Sequence, residues 1–267
     1  MSSPQPDYDL DLKIAELRIN GFVTFEDLIP SEKIDAIREA FLPLLENLRV
    51  RETDIHPAER GDVRTGKGRQ QFINRYTLHV PWIAPFADPA IYENPTVLAF
   101  FERYWGATDF EITCYHSNTP YPGSEFQPWH RDIQLITPNI GLQTCPHFGI
   151  KFPLVDTCEE NGSFEVLPGS QYLSDPQMEG QYDAILRNGS FPGAQRLNLK
   201  KGTLWIQDPR TLHRGTPNRS DHARPELVLC FSRPWFAVRH QIEITQAEHD
   251  RLSERGRKLL ARNRVVD

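Results

Sequence analysis

The sequence predicts a mainly β protein with flanking helices, and three observations support that fold class. From residue 110 onward, short runs rich in β-branched and aromatic residues alternate with Pro, Gly and Asn clusters, as is typical of an antiparallel sandwich or barrel. Helical periodicity is confined to the segments before and after this half. The 267 residues contain neither an internal repeat nor a low-complexity linker, so we expect one domain over residues 1–267.

The N-terminal part, about residues 9–106, is predicted to be helical. The segment "LDLKIAELRI" indicates a short helix that ends at Gly21, because glycine readily takes the left-handed conformation that closes a helix. The segment "FVTFEDL" predicts a strand. Ser31 is a suitable N-cap for the next helix, in which apolar residues recur at helical spacing through "KIDAIREAFLPLLENL". A further helix is expected to begin after Asn94, with a proline in its first position, and to end at Gly106.

The β-rich part, about residues 107–240, is predicted to form the barrel core. Its strand candidates are "FEITCYHS", "HFGIKFPLV", "SFEVLPG", "GTLWIQD" and "ELVLCFSRPWFAV". A C-terminal helix over about 245–263 opens with a capping-box pattern at Thr245. The aperiodic segment 51–75 predicts a long loop, and 176–195 predicts a lid, so both are candidates for setting substrate specificity.

Composition and charge exclude several classes of partner. The net charge is −6 and the arginines are dispersed, so we expect neither nucleic acid nor an anionic membrane as a partner. No apolar run approaches the roughly 20 residues that span a bilayer. Four scattered cysteines and the polar start "MSSPQPDYDLDLK" predict a cytoplasmic protein without disulfides or a secretory signal.

Polar residues suited to metal chemistry occur in three segments of the β-rich part. In "PWHRDIQ", strand alternation puts His130 and Asp132 on the same face, so they could bind one ion together. Such a pair alone is weak evidence, since chance readily produces one in a chain with nine histidines. His213 follows the strand "GTLWIQD", and Arg224, eleven residues later, begins the next strand.

These residue types match a known metal-ligand set. Two imidazoles and one carboxylate on one face of an octahedral ion are the ligands of non-haem Fe(II) oxygenases. Two of the remaining positions could hold a bidentate 2-oxo acid and the third could hold O₂. The far carboxylate of the acid needs a permanently charged, bidentate partner, which suits an arginine such as Arg224 better than a lysine.

The sequence resembles the phytanoyl-CoA dioxygenase (PhyH) family of Fe(II)/2-oxoglutarate-dependent oxygenases. The resemblance is carried by "ENGSFEVLPGSQ" (160–171), by "GTLWIQDPRTLHRGTPNRSDHARPELVLCFSRPWF" (202–236) and by "NGFVTFEDLIPSEKIDAIREAF" near the N-terminus. It covers most of the chain, and its C-terminal block is the specific part. It implies a double-stranded β-helix, a jelly-roll or cupin-like barrel with the iron at its open end.

The resemblance also implies roles for individual residues. The family's His-x-Asp motif falls on His130 and Asp132, and its distal iron-binding histidine falls on His213. Its 2-oxoglutarate-binding arginine falls on Arg224. Gln127 matches a position that contacts 2-oxoglutarate in several relatives. The resemblance therefore implies Fe(II) as the cofactor, 2-oxoglutarate and O₂ as co-substrates, and the two histidines and the aspartate as metal ligands and catalytic residues.

Four further residues near this set have open interpretations. Arg75, in "FINRYTLH", lies where relatives contact co-substrate or substrate, although a surface salt bridge explains it equally well. Lys151 stands where many members have an aromatic residue. Because a buried lysine without a carboxylate partner is costly, we expect it to point outward rather than to contact substrate or co-substrate. His116 and His147 are expected to be core histidines that donate to backbone carbonyls, with a substrate-facing position as the alternative.

The activity implied is the oxidative decarboxylation of 2-oxoglutarate to succinate and CO₂, coupled to C–H oxidation of a small molecule, for example a natural-product intermediate. The resemblance thus implies a small-molecule substrate as the partner and a protein that is a monomer or a homodimer. The acid at Asp132 favours hydroxylation, because related halogenases have a small residue there. Two other classes stay open, a zinc-dependent hydrolase on the same residues and a catalytically silent ligand-binding barrel. The hydrolase has no use for Arg224 beside the metal, and a silent barrel is expected to have lost one of the four residues.

Overall fold

The first half of the chain alternates helices with three strands. The structure is a computed structural model that describes residues 7–53, 69–133, 144–172 and 189–267. In this half it contains α1 (Leu10–Asn20), β1 (Phe22–Phe25), α2 (Ser31–Thr53), β2 (Arg69–Phe72), β3 (Arg75–Thr77), α3 (Pro89–Tyr92) and α4 (Pro95–Trp105).

The helix ends follow the capping residues that the sequence predicts. Gly21 closes α1 in the left-handed conformation, with φ at 79°. Asn94 caps α4, because its side chain accepts hydrogen bonds from the backbone N–H groups of Thr96 and Val97. Gly106 then ends α4 with φ at 63°. The predicted bounds of both helices are confirmed.

The second half supplies most of the strands. They are β4 (Glu111–Pro120), β5 (His147–Pro153), β6 (Phe164–Val166), β7 (Gln195–Leu197), β8 (Leu204–Gln207), β9 (His213–Arg214) and β10 (Glu226–Ser232). A seven-stranded sheet has the order β1-β8-β5-β10-β4-β3-β2, and a three-stranded sheet has the order β7-β6-β9. Every pairing within these two sheets is antiparallel. Residues of both sheets line one cavity, and the predicted double-stranded β-helix is confirmed.

Alternation along the central strands separates the core from the cavity. Phe148 of β5 and Phe231 of β10 face α4, where Phe101 packs against them with ring centroids 5.9 and 5.0 Å away. The neighbours His147 and Cys230 face the other way and line the cavity. The large sheet is therefore covered by helices on one face, which leaves its opposite face for a site.

The structure corrects two parts of the expected organisation. The N-terminal part is not only helical, since β1, β2 and β3 all join the large sheet. The prediction of one helix over 245–263 is wrong. Ser253 accepts a hydrogen bond from the N–H of Gly256 and so caps a new helix, while Leu252 before it is extended. The tail consists of β11 (Glu243–Thr245), α5 (Gln246–Arg251), α6 (Glu254–Leu259) and β12 (Arg264–Val266).

The two predicted loops fall largely outside the described residues. Of segment 51–75, residues 54–68 lie outside them, and the rest belongs mainly to α2, β2 and β3. Of the predicted lid 176–195, residues 176–188 lie outside them. Within the described ranges, no helix combines the length and the apolar character needed to cross a membrane.

Candidate functional site

Backbone pairing brings His130 and His213 together although they lie far apart in the chain. The two residues exchange N–H···O hydrogen bonds of 3.0 Å in both directions, as in an antiparallel ladder. Their rings consequently lie side by side, with centroids 4.3 Å apart. The N–H of Asp132 donates to the carbonyl of Pro209 at 2.9 Å, which holds the carboxylate beside the pair.

The three side chains form a compact donor group. Oδ1 of Asp132 lies 3.7 Å from Nε2 of His130 and 3.4 Å from Nε2 of His213. All three potential ligand atoms lie within 4.8 Å of one another. Donor atoms on one face of an octahedral ion are about 3 Å apart for bonds of roughly 2.1 Å. Small side-chain adjustments would therefore let these three residues hold one ion.

Hydrogen bonds orient the two imidazoles for metal binding. Nδ1 of His130 lies 2.8 Å from the carbonyl oxygen of Pro128, and Nδ1 of His213 lies 2.8 Å from that of Thr211. Because a carbonyl oxygen can only accept, Nδ1 of His130 donates its proton and its Nε2 keeps a free lone pair toward Asp132. Nδ1 of His213 lies between the Thr211 carbonyl and Nε2 of Gln207, which is 2.6 Å away, so each of its tautomers has a partner. The sequence does not reveal this tautomer control, which comes from the loop backbone.

Electrostatics at the site favour the protonation states that ligands need. Burial, together with the neighbouring His213, lowers the pKa of His130 to about 4, so its imidazole is neutral at neutral pH. Burial acts to raise the pKa of the Asp132 carboxyl, but His213 and then Lys151 outweigh it and the pKa is lowered. The Asp132 side chain is 49% exposed because it faces the cavity. The carboxylate is thus ionised and accessible.

Arg224 lies one layer behind the cavity wall. It is only 1% exposed, and none of its three guanidinium nitrogens has a hydrogen-bond acceptor within the described residues. Its nearest acid is Glu226, whose Oε2 lies 3.5 Å from Nη1 and which itself lines the cavity. Burial lowers the pKa of Arg224. Buried N–H donors without acceptors are costly, so this group is suited to a ligand that brings oxygen atoms.

Arg75 adds a second buried guanidinium to the same region. It is 0% exposed, which rules out the surface salt bridge considered for it. Its Nη2 donates to the carbonyls of Glu125 and Thr216, while Nε and Nη1 are without acceptors in the described part of the chain. Burial and then Arg224 lower the pKa of Arg75 to about 9. Two guanidinium charges against the one carboxylate of Glu226 leave one positive charge over, which matches one further carboxylate.

Gln127 and Arg75 are held together by a close backbone approach. Oε1 of Gln127 accepts a 2.8 Å hydrogen bond from the N–H of Gly215. A methyl group on Gly215 would lie 2.5 Å from that Oε1 and 2.6 Å from Nη1 of Arg75. A side chain at this position would therefore displace Gln127 or Arg75, and the contact places Gln127 on the cavity wall beside the second arginine.

The expectation that Lys151 points outward is wrong. Its side chain is buried and lines the cavity, with Nζ 4.8 Å from the Phe164 ring and 4.6 Å from the Trp205 ring. Nζ also donates to Oε1 of Gln207. The cost of burying the ammonium is offset by these cation–π contacts and this hydrogen bond rather than by a carboxylate.

The cavity has a volume of about 280 Å³ and joins these groups. It is lined by the three potential metal ligands, by Gln127 and Glu226, and by Lys151. His116 and His147 also line it, so the alternative of cavity-facing histidines is the one observed; Nδ1 of His147 contacts the hydroxyl of Ser232 rather than a backbone carbonyl. Alternation along β5 and β10 could have indicated Lys151 and Glu226, because residues two apart on a strand share a face.

The fold and the donor group together define a class of protein. Its members are β-barrels in which a His-x-Asp pair and a distal histidine form a candidate metal site. The chain belongs to the phytanoyl-CoA dioxygenase (PhyH) family, whose model matches residues 17–225. Iron, 2-oxoglutarate and O₂ fit this family and the donor group described above.

Several solved structures have a similar fold. AviO1 from Streptomyces viridochromogenes Tue57 is 18% identical, with a TM-score of 0.59 over 88% of this chain and 100% of that chain. HygX from Streptomyces hygroscopicus, with nickel, 2-oxoglutarate and hygromycin B bound, is 14% identical, with a TM-score of 0.60 over 87% and 90%. The alpha-ketoglutarate-dependent carbocyclase SnoK from nogalamycin biosynthesis is 16% identical, with a TM-score of 0.61 over 91% and 90%. At these identities the likeness establishes the fold.

Proposed function

We propose that this protein is an Fe(II)/2-oxoglutarate-dependent oxygenase that hydroxylates, or otherwise oxidises, a C–H bond of a small molecule. The observation that carries the proposal is the convergence of His130, Asp132 and His213 at one cavity. It is backed by the buried Arg224 and Arg75, five of whose guanidinium nitrogens have no acceptor among the described residues. The ion, when bound, supplies the oxidising chemistry that couples the conversion of 2-oxoglutarate to succinate and CO₂ to attack on the substrate.

In this proposal the three ligand residues bind the metal ion and fix its position in the cavity. The Nε2 atoms of the two histidines and the carboxylate oxygen of Asp132 would hold the ion, and its remaining ligand positions would be available to the co-substrates. The Pro128 carbonyl holds the imidazole of His130 in the required tautomer. An intact carboxylate at Asp132 leaves no room for a halide ligand, which favours hydroxylation-type outcomes over halogenation.

Arg224 and Arg75 are proposed to hold the far carboxylate of 2-oxoglutarate. Together with Glu226 they carry one uncompensated positive charge, and five of their N–H-bearing nitrogens are without acceptors among the described residues, three on Arg224 and two on Arg75. Bidentate guanidinium–carboxylate pairing satisfies such donors and fixes the orientation of the ligand. Gln127, on the adjoining wall, is proposed to contact the same ligand.

The substrate is proposed to be a free small molecule, such as an intermediate of natural-product biosynthesis. Its support is the mixed polar and apolar cavity and the fold shared with HygX, which holds hygromycin B, and with SnoK of nogalamycin biosynthesis. Phe164 stacks on His213 at 5.0 Å, so an apolar side chain covers one face of this ligand.

A single anaerobic titration tests the proposal. Wild-type protein given Fe(II) and then 2-oxoglutarate is expected to develop the visible charge-transfer band of an iron–oxo-acid chelate. His213→Ala is expected to abolish the band. Arg224→Ala is expected to retain iron but to require far more 2-oxoglutarate, whereas the surface variant Arg264→Ala behaves as wild type.

The other outcomes identify the competing classes. A zinc-dependent hydrolase binds zinc at the same ligands without any dependence on Arg224, and a silent barrel gives no band at any concentration. Either result would overturn the proposal. Release of succinate, screened against a panel of natural-product intermediates, then identifies the substrate, and NMR of the product identifies the carbon attacked.

A further inference from the structure

A second group of metal-ligating side chains lies on the inner face of the large sheet. Cys114 and His116 are two residues apart on β4, so their side chains share that face. Cys230 of β10 lies directly opposite Cys114 in the antiparallel register. All three residues line the cavity and none belongs to the donor group of His130.

The distances within this group match a tetrahedral ion. The two sulfurs and the imidazole nitrogen lie within 4.8 Å of one another, and Sγ of Cys114 is 3.7 Å from Nδ1 of His116. An ion that holds sulfur at roughly 2.3 Å and nitrogen at roughly 2.0 Å in tetrahedral geometry separates the two by about 3.5 Å. The observed spacing therefore needs little movement to accept an ion.

A fourth ligand is available on the neighbouring strand. His147 of β5 lines the same cavity and contacts the thiol of Cys230. Its Nδ1 lies 2.5 Å from Oγ of Ser232, a contact that leaves Nε2 free when Nδ1 donates. Three adjacent strands, β4, β10 and β5, thus carry two thiols and two imidazoles on one cavity wall, with His147 beside Cys230.

We propose that Cys114, His116 and Cys230, completed by His147, form a second metal site that takes Zn²⁺. Two thiolates with two imidazoles are a common tetrahedral zinc ligand set, and soft sulfur ligands disfavour the hard cations Mg²⁺ and Ca²⁺. The site lies on the same cavity wall as the proposed oxygenase chemistry but shares no ligand with it. It therefore goes beyond the proposed function and stands or falls independently.

Binding is balanced by proton release. The hydrogen bond with Cys114 and burial raise the pKa of the Cys230 thiol well above its usual value, so this thiol carries a proton in the metal-free protein. Uptake of one Zn²⁺ by two thiols forms two Zn–S bonds and releases the two thiol protons. The affinity for Zn²⁺ is accordingly expected to increase with pH. The bound ion would also link strands β4, β10 and β5 of the sheet.

The test uses Co²⁺ as a spectroscopic probe and Zn²⁺ as the native-type ion. Chelator-stripped, fully reduced protein is given one equivalent of Co²⁺, and a thiolate-to-cobalt charge-transfer band is expected. One equivalent of Zn²⁺ should displace the cobalt, and X-ray absorption should show sulfur neighbours at roughly 2.3 Å from zinc. Zinc should also raise the melting temperature of the wild-type protein.

Matched variants separate this site from the iron site. Cys114→Ala should weaken the affinity for Co²⁺ and for Zn²⁺ at least tenfold. His116→Gln, which leaves both thiols in place, should have the same effect. Cys158→Ala removes an exposed cysteine elsewhere and should change neither. His213→Ala should keep the thiolate band while losing the iron–2-oxoglutarate band, and Cys114→Ala should do the reverse.

Three results would overturn the proposal. The first is zinc or cobalt bound without sulfur neighbours by the reduced His213→Ala variant, in which the other donor group is incomplete. The second is the absence of a thiolate–cobalt band when that variant is given excess Co²⁺. The third is a Cys114–Cys230 disulfide that persists under reductant. None of these results depends on whether the iron–2-oxoglutarate band is obtained, so a failure of the zinc site is distinguishable from a failure of the oxygenase assignment.

Discussion

The ammonium group of Lys151 and the imidazole of His213 contact opposite ends of one side-chain amide. Nζ of Lys151 donates to Oε1 of Gln207, and Nε2 of Gln207 lies 2.6 Å from Nδ1 of His213. A metal on Nε2 of His213 requires a proton on Nδ1, which would then face the N–H donor of the amide. Rotation of the amide removes that conflict and takes Oε1 away from Lys151. We therefore expect metal binding to release Lys151 toward the cavity.

The first prediction concerns the charge of Lys151. Lys151 acts to lower the pKa values of both Asp132 and His130, so its charge also repels a cation held there. Lys151→Met should strengthen Fe(II) binding in the absence of 2-oxoglutarate by on the order of tenfold. It should weaken 2-oxoglutarate binding to the iron-loaded protein by a similar factor, because the doubly charged anion is then no longer attracted by the Lys151 ammonium. Anaerobic calorimetry measures both constants.

Lys201→Met is the matched control for that experiment. Lys201 pairs with Asp35 at 2.6 Å and lies outside the cavity lining, so neither constant should change. If Lys151→Met moves both constants in the same direction, or neither, the ammonium does not act on the site by its charge.

The second prediction concerns the arginine pair. Arg75→Gln and Arg224→Gln should each weaken 2-oxoglutarate binding roughly thirtyfold, because a charge-assisted hydrogen bond is worth about 2 kcal/mol. The comparison ligand is 2-oxopentanoate, which has the same chain length but lacks the far carboxylate. Its affinity should be low for wild type and almost unchanged by either substitution. Equal losses for both ligands would place the arginines away from the far carboxylate.

The third prediction concerns the close approach at Gly215. A methyl group there would lie within 2.6 Å of Nη1 of Arg75, so Gly215→Ala should displace the guanidinium and weaken 2-oxoglutarate binding at least tenfold. Fe(II) affinity should be retained, because the ligand residues are not touched. In an Arg75→Gln background the same alanine should have little further effect on 2-oxoglutarate, since the two changes act through one contact. Additive losses would contradict this coupling.

Motif spacing and fold class were accessible from the sequence because they depend on local rules. Helix caps such as Gly21 and Asn94 act within a few residues, and the His-x-Asp pair shares a face by strand alternation. The block around His213 and Arg224 predicted both the barrel and the cavity it surrounds. Arg224 differs from expectation only in lying behind Glu226 rather than on the cavity surface itself.

Interactions across strands were not accessible in this way. The burial of Lys151 is stabilised by Trp205 and Gln207 on the adjacent strand β8, and only the register of β5 against β8 brings them together. The facing of Cys114 and Cys230 depends in the same way on the β4–β10 register. A register is set by the whole sheet, so local pattern could not decide whether Lys151 points inward.

The last prediction concerns stability beside the metal ligands. Arg214, the neighbour of His213, donates to Oε2 of Glu165 at 2.6 Å, and both side chains are buried. The guanidinium also lies 4.0 Å from the Phe126 ring, so it is removed from water and depends on Glu165 for its countercharge.

Glu165→Gln should lower the free energy of unfolding by about 3 kcal/mol, because it leaves Arg214 buried without a countercharge. Urea unfolding monitored by tryptophan fluorescence measures the change. Glu243→Gln is the control, since its pair with Arg264 is exposed on both sides and should contribute less than about 1 kcal/mol. Because β6 pairs with β9 through Glu165 and Arg214, loss of this ion pair should also loosen His213 and weaken Fe(II) binding. A variant as stable as the control would mean that the cation–π contact and the remaining hydrogen bond suffice for Arg214.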